Sequence, residues 1–299
     1  VIAGFGRILA SAARQRWQGA PEQTQVPGPA FSATLPPRDP KLVADYLRWC
    51  GGDASAWRGR VPHHMFAQWG FGVLPKTLEG ISYPVAKALN AGCRMEIEAD
   101  IPLDSPLHVT AQLVNIDDDG RRVILTQRLT TALPDGTRAL TADVSVFIPL
   151  ASKPSSDRPK TRRPKPTVPA DARELSFRRY SGDDGFRFAC LTGDFNPVHW
   201  VTPYAQMAGF GRRIMHGFGT LGRSLETLNR TLWAGDTRHL KTVDVRFTKP
   251  LKLPGKAGVY VRGSELYAGS AAGGEAYLSG TFTTQDQGLD QAKVSSRDG

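Results

Sequence analysis

No stretch of this 299-residue chain approaches the roughly 18 consecutive apolar residues that a helix needs to cross a bilayer, so no membrane span is expected. Cysteine is scarce. Cys50, Cys93 and Cys190 are odd in number and far apart, and cannot make a fully paired disulfide framework. They suit a reducing compartment, and a cytoplasmic location is expected. The first seventeen residues lack the basic start of a secretory signal, and Arg7 interrupts their apolar run. Ile2, Phe5, Ile8, Leu9, Ala12 and Ala13 fall near helical spacing, which predicts a short amphipathic helix lying on the body. Apolar content, by contrast, is ample. At 40% hydrophobic the chain can bury a sizeable core, which excludes wholesale disorder, and its length suits two domains.

The formal charge is +10, from 38 Lys+Arg against 28 Asp+Glu. Half of it lies in residues 151–170, which hold six basic side chains, one acidic one and five prolines. That composition cannot build a core and reads as an extended, solvated linker. It lacks interleaved aromatics, so nucleic-acid binding is not expected. The chain therefore divides into an N-terminal domain over 1–150, a Pro/Arg/Lys-rich linker over 151–172 and a C-terminal domain over 173–299 that ends in a short polar tail.

The two domains share one plan. Cys93–Ile101, Leu107–Ile116, Arg121–Thr131 and Thr137–Leu150 alternate or favour β-branched residues, and Asp119-Gly120 and Asp135-Gly136 supply the tight turns of hairpins. Before them, His63–Leu89 reads as a helix followed by a loop, weakened by Gly70, Gly72 and Pro75. Residues 19–37, rich in Pro and Gly, read as a covering loop. In the second half a helix at His216–Leu232 precedes strands at Lys241–Thr248, Gly258–Gly263 and Glu275–Thr284. Residues 95–103 match 243–251 in strand alternation, in Pro-Leu and in the turn that follows. The order implies an internal duplication with a period near 148, so that two α+β units each bury a helix on one face of an antiparallel sheet.

The chemistry concentrates in Gly193-Asp194-Phe195-Asn196-Pro197-Val198-His199. Asn196-Pro197 fixes a turn and Gly193 allows a backbone conformation that a side chain would forbid. Such a turn points Asp194 and His199 at one spot, where they can hold a water and move its proton. His199, titrating near neutrality, is the better base. Downstream, Ile214-Met215-His216-Gly217-Phe218-Gly219 places glycines at the start of a helix, whose free N–H groups favour developing negative charge. His216 is read as satisfying local backbone groups. Asp183-Asp184 are read as capping the helix that holds Phe186, Phe188 and Leu191. His63-His64 has no Cys or third His at ligand spacing, so no metal is expected.

These residues resemble the MaoC-like, R-specific enoyl-CoA hydratase (hydratase 2) family. The likeness covers roughly 175–285 by motif, and the first half by architecture alone. It implies a double hot-dog fold, in which each unit is a long helix wrapped by an antiparallel sheet. It further implies reversible hydration of a trans-2-enoyl-CoA to a (3R)-hydroxyacyl-CoA. Asp194 and His199 match the family's catalytic pair. Gly217 matches the residue whose N–H polarises the thioester carbonyl. Gly193, Asn196, Pro197 and His216 match positions that support the site's geometry. The family often carries an acid two residues after the histidine, where this chain has Val201.

The only cofactor implied is coenzyme A as part of the substrate, its phosphates meeting Arg212, Arg213, Arg223, Lys249 and Lys252. The first half, without the motif, is expected to shape a wide acyl tunnel, with Met65, Phe66, Trp69 and Phe71 as candidate walls or as plain core. Two other readings stand beside this one: a (3R)-hydroxyacyl-carrier-protein dehydratase using the same site, and a non-catalytic acyl-CoA-binding module. The pseudo-dimer within one chain is compatible with a monomer or a homodimer.

Overall fold

The computed structural model describes residues 24–85, 88–150 and 166–285. The helix expected over the first seventeen residues and the linker over 151–165 lie outside the described residues. Among the described residues, ten strands form one antiparallel sheet. They are β1 (Ala30–Leu35), β2 (Leu89–Ile97), β3 (Leu107–Asp118), β4 (Arg122–Ala132), β5 (Arg138–Pro149), β6 (Arg173–Tyr180), β7 (Leu240–Phe247), β8 (Gly255–Arg262), β9 (Glu265–Gly269) and β10 (Ala276–Thr284). Their spatial order is β1-β3-β4-β5-β2-β7-β10-β9-β8-β6. The second five strands repeat the first five in reverse across the β2–β7 seam. At that seam Met95 pairs with Val243, its own counterpart at the 148-residue offset read from the sequence. The duplication is therefore a pseudo-two-fold, and its axis passes through the pair of residues that the repeat equates.

Side-chain alternation explains the strands. In β4 and β5 every second residue is buried, because one face meets the core and the other meets water. The Asp-Gly turns behave as their chemistry requires. Gly120 and Gly136 take positive φ (75° and 86°), while Asp119 Oδ1 accepts from Arg121 N and Asp135 Oδ1 from Thr137 N. The strand expected from Cys93 begins earlier, at Leu89, and bulges at Asn90–Gly92.

The helices are α1 (Pro40–Cys50), α2 (Ala54–Trp57), α3 (Phe66–Gly70), α4 (Asp184–Thr192), α5 (Thr202–Met207) and α6 (Gly217–Leu232). α6 is the long central helix of the second half. It is buried almost all round, from Phe218 to Asn229, because the sheet covers one side and α1 and the 63–65 turn cover the other. The first half departs from the expected single helix. His63–Leu78 is broken into a 3₁₀ turn (His63–Met65), α3 and a second 3₁₀ turn (Leu74–Leu78), with Gly70, Gly72 and Pro75 at the interruptions. The loop read over 19–37 contains edge strand β1. α1, which that reading passed over, is capped by Asp39, starts at Pro40 and ends at Gly51 in the left-handed conformation. Residues 166–172, placed in the linker, lie against the sheet, with Val168 and Ala172 buried beside Tyr260 and Ala276. No described helix is long and apolar enough to cross a membrane.

Candidate active site

α4 ends at Gly193 with φ 81°, which turns the chain sharply into the Asp194–His199 loop. Asn196 caps the short turn Pro197–His199 by accepting from Val198 N at 3.3 Å, and Asp194 Oδ1 accepts from Asn196 N at 3.3 Å. The loop is pinned from behind: a Cβ on Gly185 of α4 would lie 2.0 Å from His199 O. Asp194 and His199 therefore face the same space.

His199 Nδ1 lies 2.9 Å from Ile214 O. A carbonyl only accepts, so Nδ1 carries the proton and Nε2 keeps its lone pair. His216 caps α6 and donates from Nε2 to Asp194 O at 3.0 Å, and its ring stacks on that of His199 with centroids 3.5 Å apart. His216 Nδ1 is buried without a hydrogen-bond partner among the described residues. Asp194, His199 and His216 bring three donor atoms within 4.8 Å of one another, close enough to hold one small polar species.

Burial sets the electrostatics. It lifts the Asp194 carboxyl above the usual carboxylate range, against the pull of His199 and the Asn196 N–H. It lowers His199 below the usual imidazole range, opposed by Asp194 and by the bond to Ile214 O. It holds His216 well below that range, with His199 pushing the same way. The two groups of the pair thus approach each other in pKa.

Gly217 opens α6, so its N–H belongs to the first, unpaired turn of the helix. A Cβ there would come within 2.5 Å of the Phe247 ring. Gly193, Asp194, Asn196, His199, His216 and Gly217 all line one cavity of about 1200 Å³. Its far wall belongs to the first half and includes Phe71, Leu74, Leu78, Gln127 and Val144. Of the four wall candidates only Phe71 lines it. Met65, Phe66 and Trp69 are buried core, and Trp69 donates to Thr131 Oγ1.

Two expectations are corrected. Arg223, grouped with the phosphate-binding cations, is buried at 3% exposure. It donates to Asp184 Oδ1 at 3.0 Å and to Trp49 O at 3.2 Å and stacks 3.6 Å from the Trp49 ring, so it faces no ligand. Asp183 makes no side-chain cap bond, and Asp184, besides holding Arg223, accepts from Ser181 N. Of the remaining cations, Lys249 lines the cavity and pairs with Glu275. Arg213 lies 3.8 Å from Asp183, and Arg212 and Lys252 are exposed beside the loop that carries Ile214. Arg246, not singled out from the sequence, is exposed and lines the cavity. Its place at the seam depends on strand pairing, which no local signal reports.

The chain thus presents a double-unit sheet with Asp194 and His199 facing the start of one central helix. Residues 152–265 match the family described as MaoC like domain. Over 177 residues the chain is 28% identical to peroxisomal multifunctional enzyme type 2 of Mus musculus, covering 58% of this chain and 23% of that protein. It is 25% identical over 268 residues to 3-hydroxyacyl-thioester dehydratase X of Mycobacterium tuberculosis, covering 87% and 91%. The chain spans less than two thirds of the length of several curated relatives, such as 60% of enoyl-CoA hydratase ChsH3. Among solved structures, HtdX of Mycobacterium tuberculosis superposes with a TM-score of 0.67 at 22% identity, covering 85% of this chain and 99% of that one. A second protein of that organism, described as having a double hotdog fold, gives 0.57 at 15% identity, covering 87% and 96%. Residues 152–265 thus resemble a MaoC like domain, and the chain has a double hot-dog fold.

Proposed function

We propose that the protein is a hydro-lyase that reversibly adds water to a trans-2-enoyl-CoA, giving a (3R)-hydroxyacyl-CoA. The observation that carries this reading is the Asp194–His199 pair facing, with the Gly217 N–H, one cavity that continues between the two halves. The thioester carbonyl lies at the start of α6, where the Gly217 N–H draws charge onto its oxygen and makes the β-carbon electrophilic. A water sits between His199 Nε2 and the Asp194 carboxylate. His199 takes one proton while Asp194 holds the other, and the oxygen bonds to the β-carbon. The electron pair moves to the thioester oxygen. As it returns, the proton held by His199 passes to the α-carbon, so the elements of one water are added and both side chains are restored. Gly193, Asn196 and Pro197 hold the loop, and His216 braces Asp194 and His199 from beneath. Lys249, at the cavity rim, meets the coenzyme's phosphates. Arg212, Arg213 and Lys252, which do not line the cavity, are further candidates for the same phosphates.

The test is loss of the enoyl absorbance across 2-enoyl-CoAs of four to sixteen carbons, with product chirality measured. Hydration to the 3R product is expected, and no turnover at any length would sink the reading. The near full-length likeness to a protein named 3-hydroxyacyl-thioester dehydratase X favours a second reading, the same site run as a dehydratase, for which a carrier-protein thioester is the alternative substrate. A kcat/KM at least tenfold higher for the carrier-bound substrate would favour it over the coenzyme A thioester.

A further inference from the structure

The first half keeps the backbone of the site and none of its groups. Gly51 ends α1 in the left-handed conformation (φ 83°), as Gly193 ends α4 (φ 81°). Asp53 then caps a short turn by accepting from Ser55 N at 2.8 Å, as Asn196 does from Val198 N at 3.3 Å. Each turn runs into a tryptophan, Trp57 and Trp200. Farther on, Val61 N donates to Ile101 O (2.8 Å) and Leu103 N to Gly59 O (2.7 Å). Met215 N to Leu251 O and Leu253 N to Arg213 O, both 2.8 Å, repeat those bonds in the second half. Aligned on these anchors, Gly52 stands in the place of Asp194, Ala56 of His199, Pro62 of His216 and His63 of Gly217.

The vacated place is filled from the other half. A Cβ on Gly52 would lie 2.1 Å from Glu226 Oε2 of α6. Glu226 Oε1 accepts from His64 Nε2 at 2.8 Å, Trp57 Nε1 at 3.1 Å and Asn229 Nδ2 at 3.4 Å. The Tyr46 hydroxyl lies 2.9 Å from His64 O and 3.0 Å from His64 Nδ1 and holds the ring from its other side. The ring faces the carboxylate with both side chains 3% exposed. Counted from His63 and Gly217, the counterpart of Glu226 is Gly72, next to Phe71, where the intact site keeps its cavity.

We propose that Glu226 is a positioning residue for the reaction. Seated in the spent site of the first half, it sets where α6 stands and therefore where the Gly217 N–H meets the thioester carbonyl. The proposal rests on the hydratase reading above. Nine residues of helix, about 13 Å, separate Glu226 from Gly217, and a helix moves as a rod over that length. The apolar contacts of Phe218, Leu221 and Leu225 are non-directional, and the bonds of Arg223 to Asp184 and Trp49 O fix the helix toward α4 and α1. The bonds to His64 and Trp57 are directional and fix it toward the spent site. An error of about 1 Å at the reacting atoms is enough to cost about a hundredfold in rate.

The experiment uses the full chain carrying Glu226→Gln and two readouts. The first is kcat and KM on the 2-enoyl-CoA that the wild type hydrates fastest. The second is the absorbance shift of bound trans-cinnamoyl-CoA, whose carbonyl moves its band to the red when polarised. The expected result is a kcat at least about tenfold lower with KM within threefold, and a smaller red shift at equal affinity. An unchanged kcat and full red shift, even with a lowered Tm, would overturn the proposal and leave Glu226 a purely stabilising residue. Should Glu226→Gln fail to fold, His64→Gln loosens the same clasp more gently and is judged by the same two readouts. A wild type with neither hydration nor red shift sinks the hydratase reading and this one with it. Wild-type signals persisting in the variants sink this one alone.

Discussion

Asp194 stands in an environment that disfavours its charge. Its side chain is only 12% exposed, and burial lifts its pKa above the unfolded value while lowering that of His199. The proposed hydration needs the carboxylate ionised and the imidazole neutral. Activity is therefore expected to be flat near neutrality and to fall as the pH drops through the window between the ordinary carboxylate and imidazole values, about 4 to about 6.5. A kcat/KM profile against pH checks this, and an acid limb above the ordinary imidazole value would contradict it. Asp194→Asn or His199→Ala is expected to lower kcat by about 10²–10⁴-fold. Stability moves the other way. A carboxyl whose folded pKa is raised binds more protons folded than unfolded, so it destabilises the fold above that pKa, and the penalty disappears as the pH falls below the unfolded value. Asp194→Asn is thus expected to raise Tm at pH 7 and to lose that advantage toward pH 4. Thermal melts at the two pH values measure it, and a lower Tm at pH 7 would refute it.

At the scale of elements, the Asp194–His199 loop is held by what packs behind it. Gly185→Ala places a methyl against the His199 carbonyl, a backbone atom that cannot swing aside. The expected outcome is about 1–3 kcal/mol of lost stability with a lower kcat, because α4 and the loop must separate. Denaturant unfolding together with kinetics tests it, and full activity at wild-type stability would show that the contact yields freely. Much at this scale was legible in sequence. The Asp-Gly hairpins, the α6 helix and the Gly193–His199 turn rest on local chemistry, and they fall where that chemistry puts them. α1 carries local signals too, in Asp39, Pro40 and Gly51, but its Pro-rich approach obscured them. β6 is charged at Arg173, Glu174, Arg178 and Arg179, half of its length, because it is an edge strand facing water, so its composition resembles a loop. The polar face of α6 is legible only as residues. That Arg223 and Glu226 are buried depends on α1 and the 63–65 turn lying over them, and these are contacts between halves that no local pattern contains.

At the scale of the whole molecule, the two halves have exchanged roles. The pseudo-two-fold supplies two equivalent places between central helix and sheet. In one, Glu226 closes the space. In the other, the broken helix of the first half leaves a cavity of about 1200 Å³, above the roughly 300–1,000 Å³ usual for small-molecule sites. Breaking the first helix is thus what makes room, and Leu74, at the start of the second 3₁₀ turn, stands on that wall. If the acyl chain runs from the thioester at Gly217 toward Leu74, a bulkier side chain there must shorten the chain accepted without touching the chemistry. Leu74→Trp is expected to lower kcat/KM at least tenfold for twelve- to sixteen-carbon 2-enoyl-CoAs and less than threefold for the four-carbon one. Kinetics across the length series provide the check, with Tm recorded for the variant. An equal loss at every length would place Leu74 at the reacting end or in the stability of the fold. An unchanged profile would mean that the chain takes another course through the cavity.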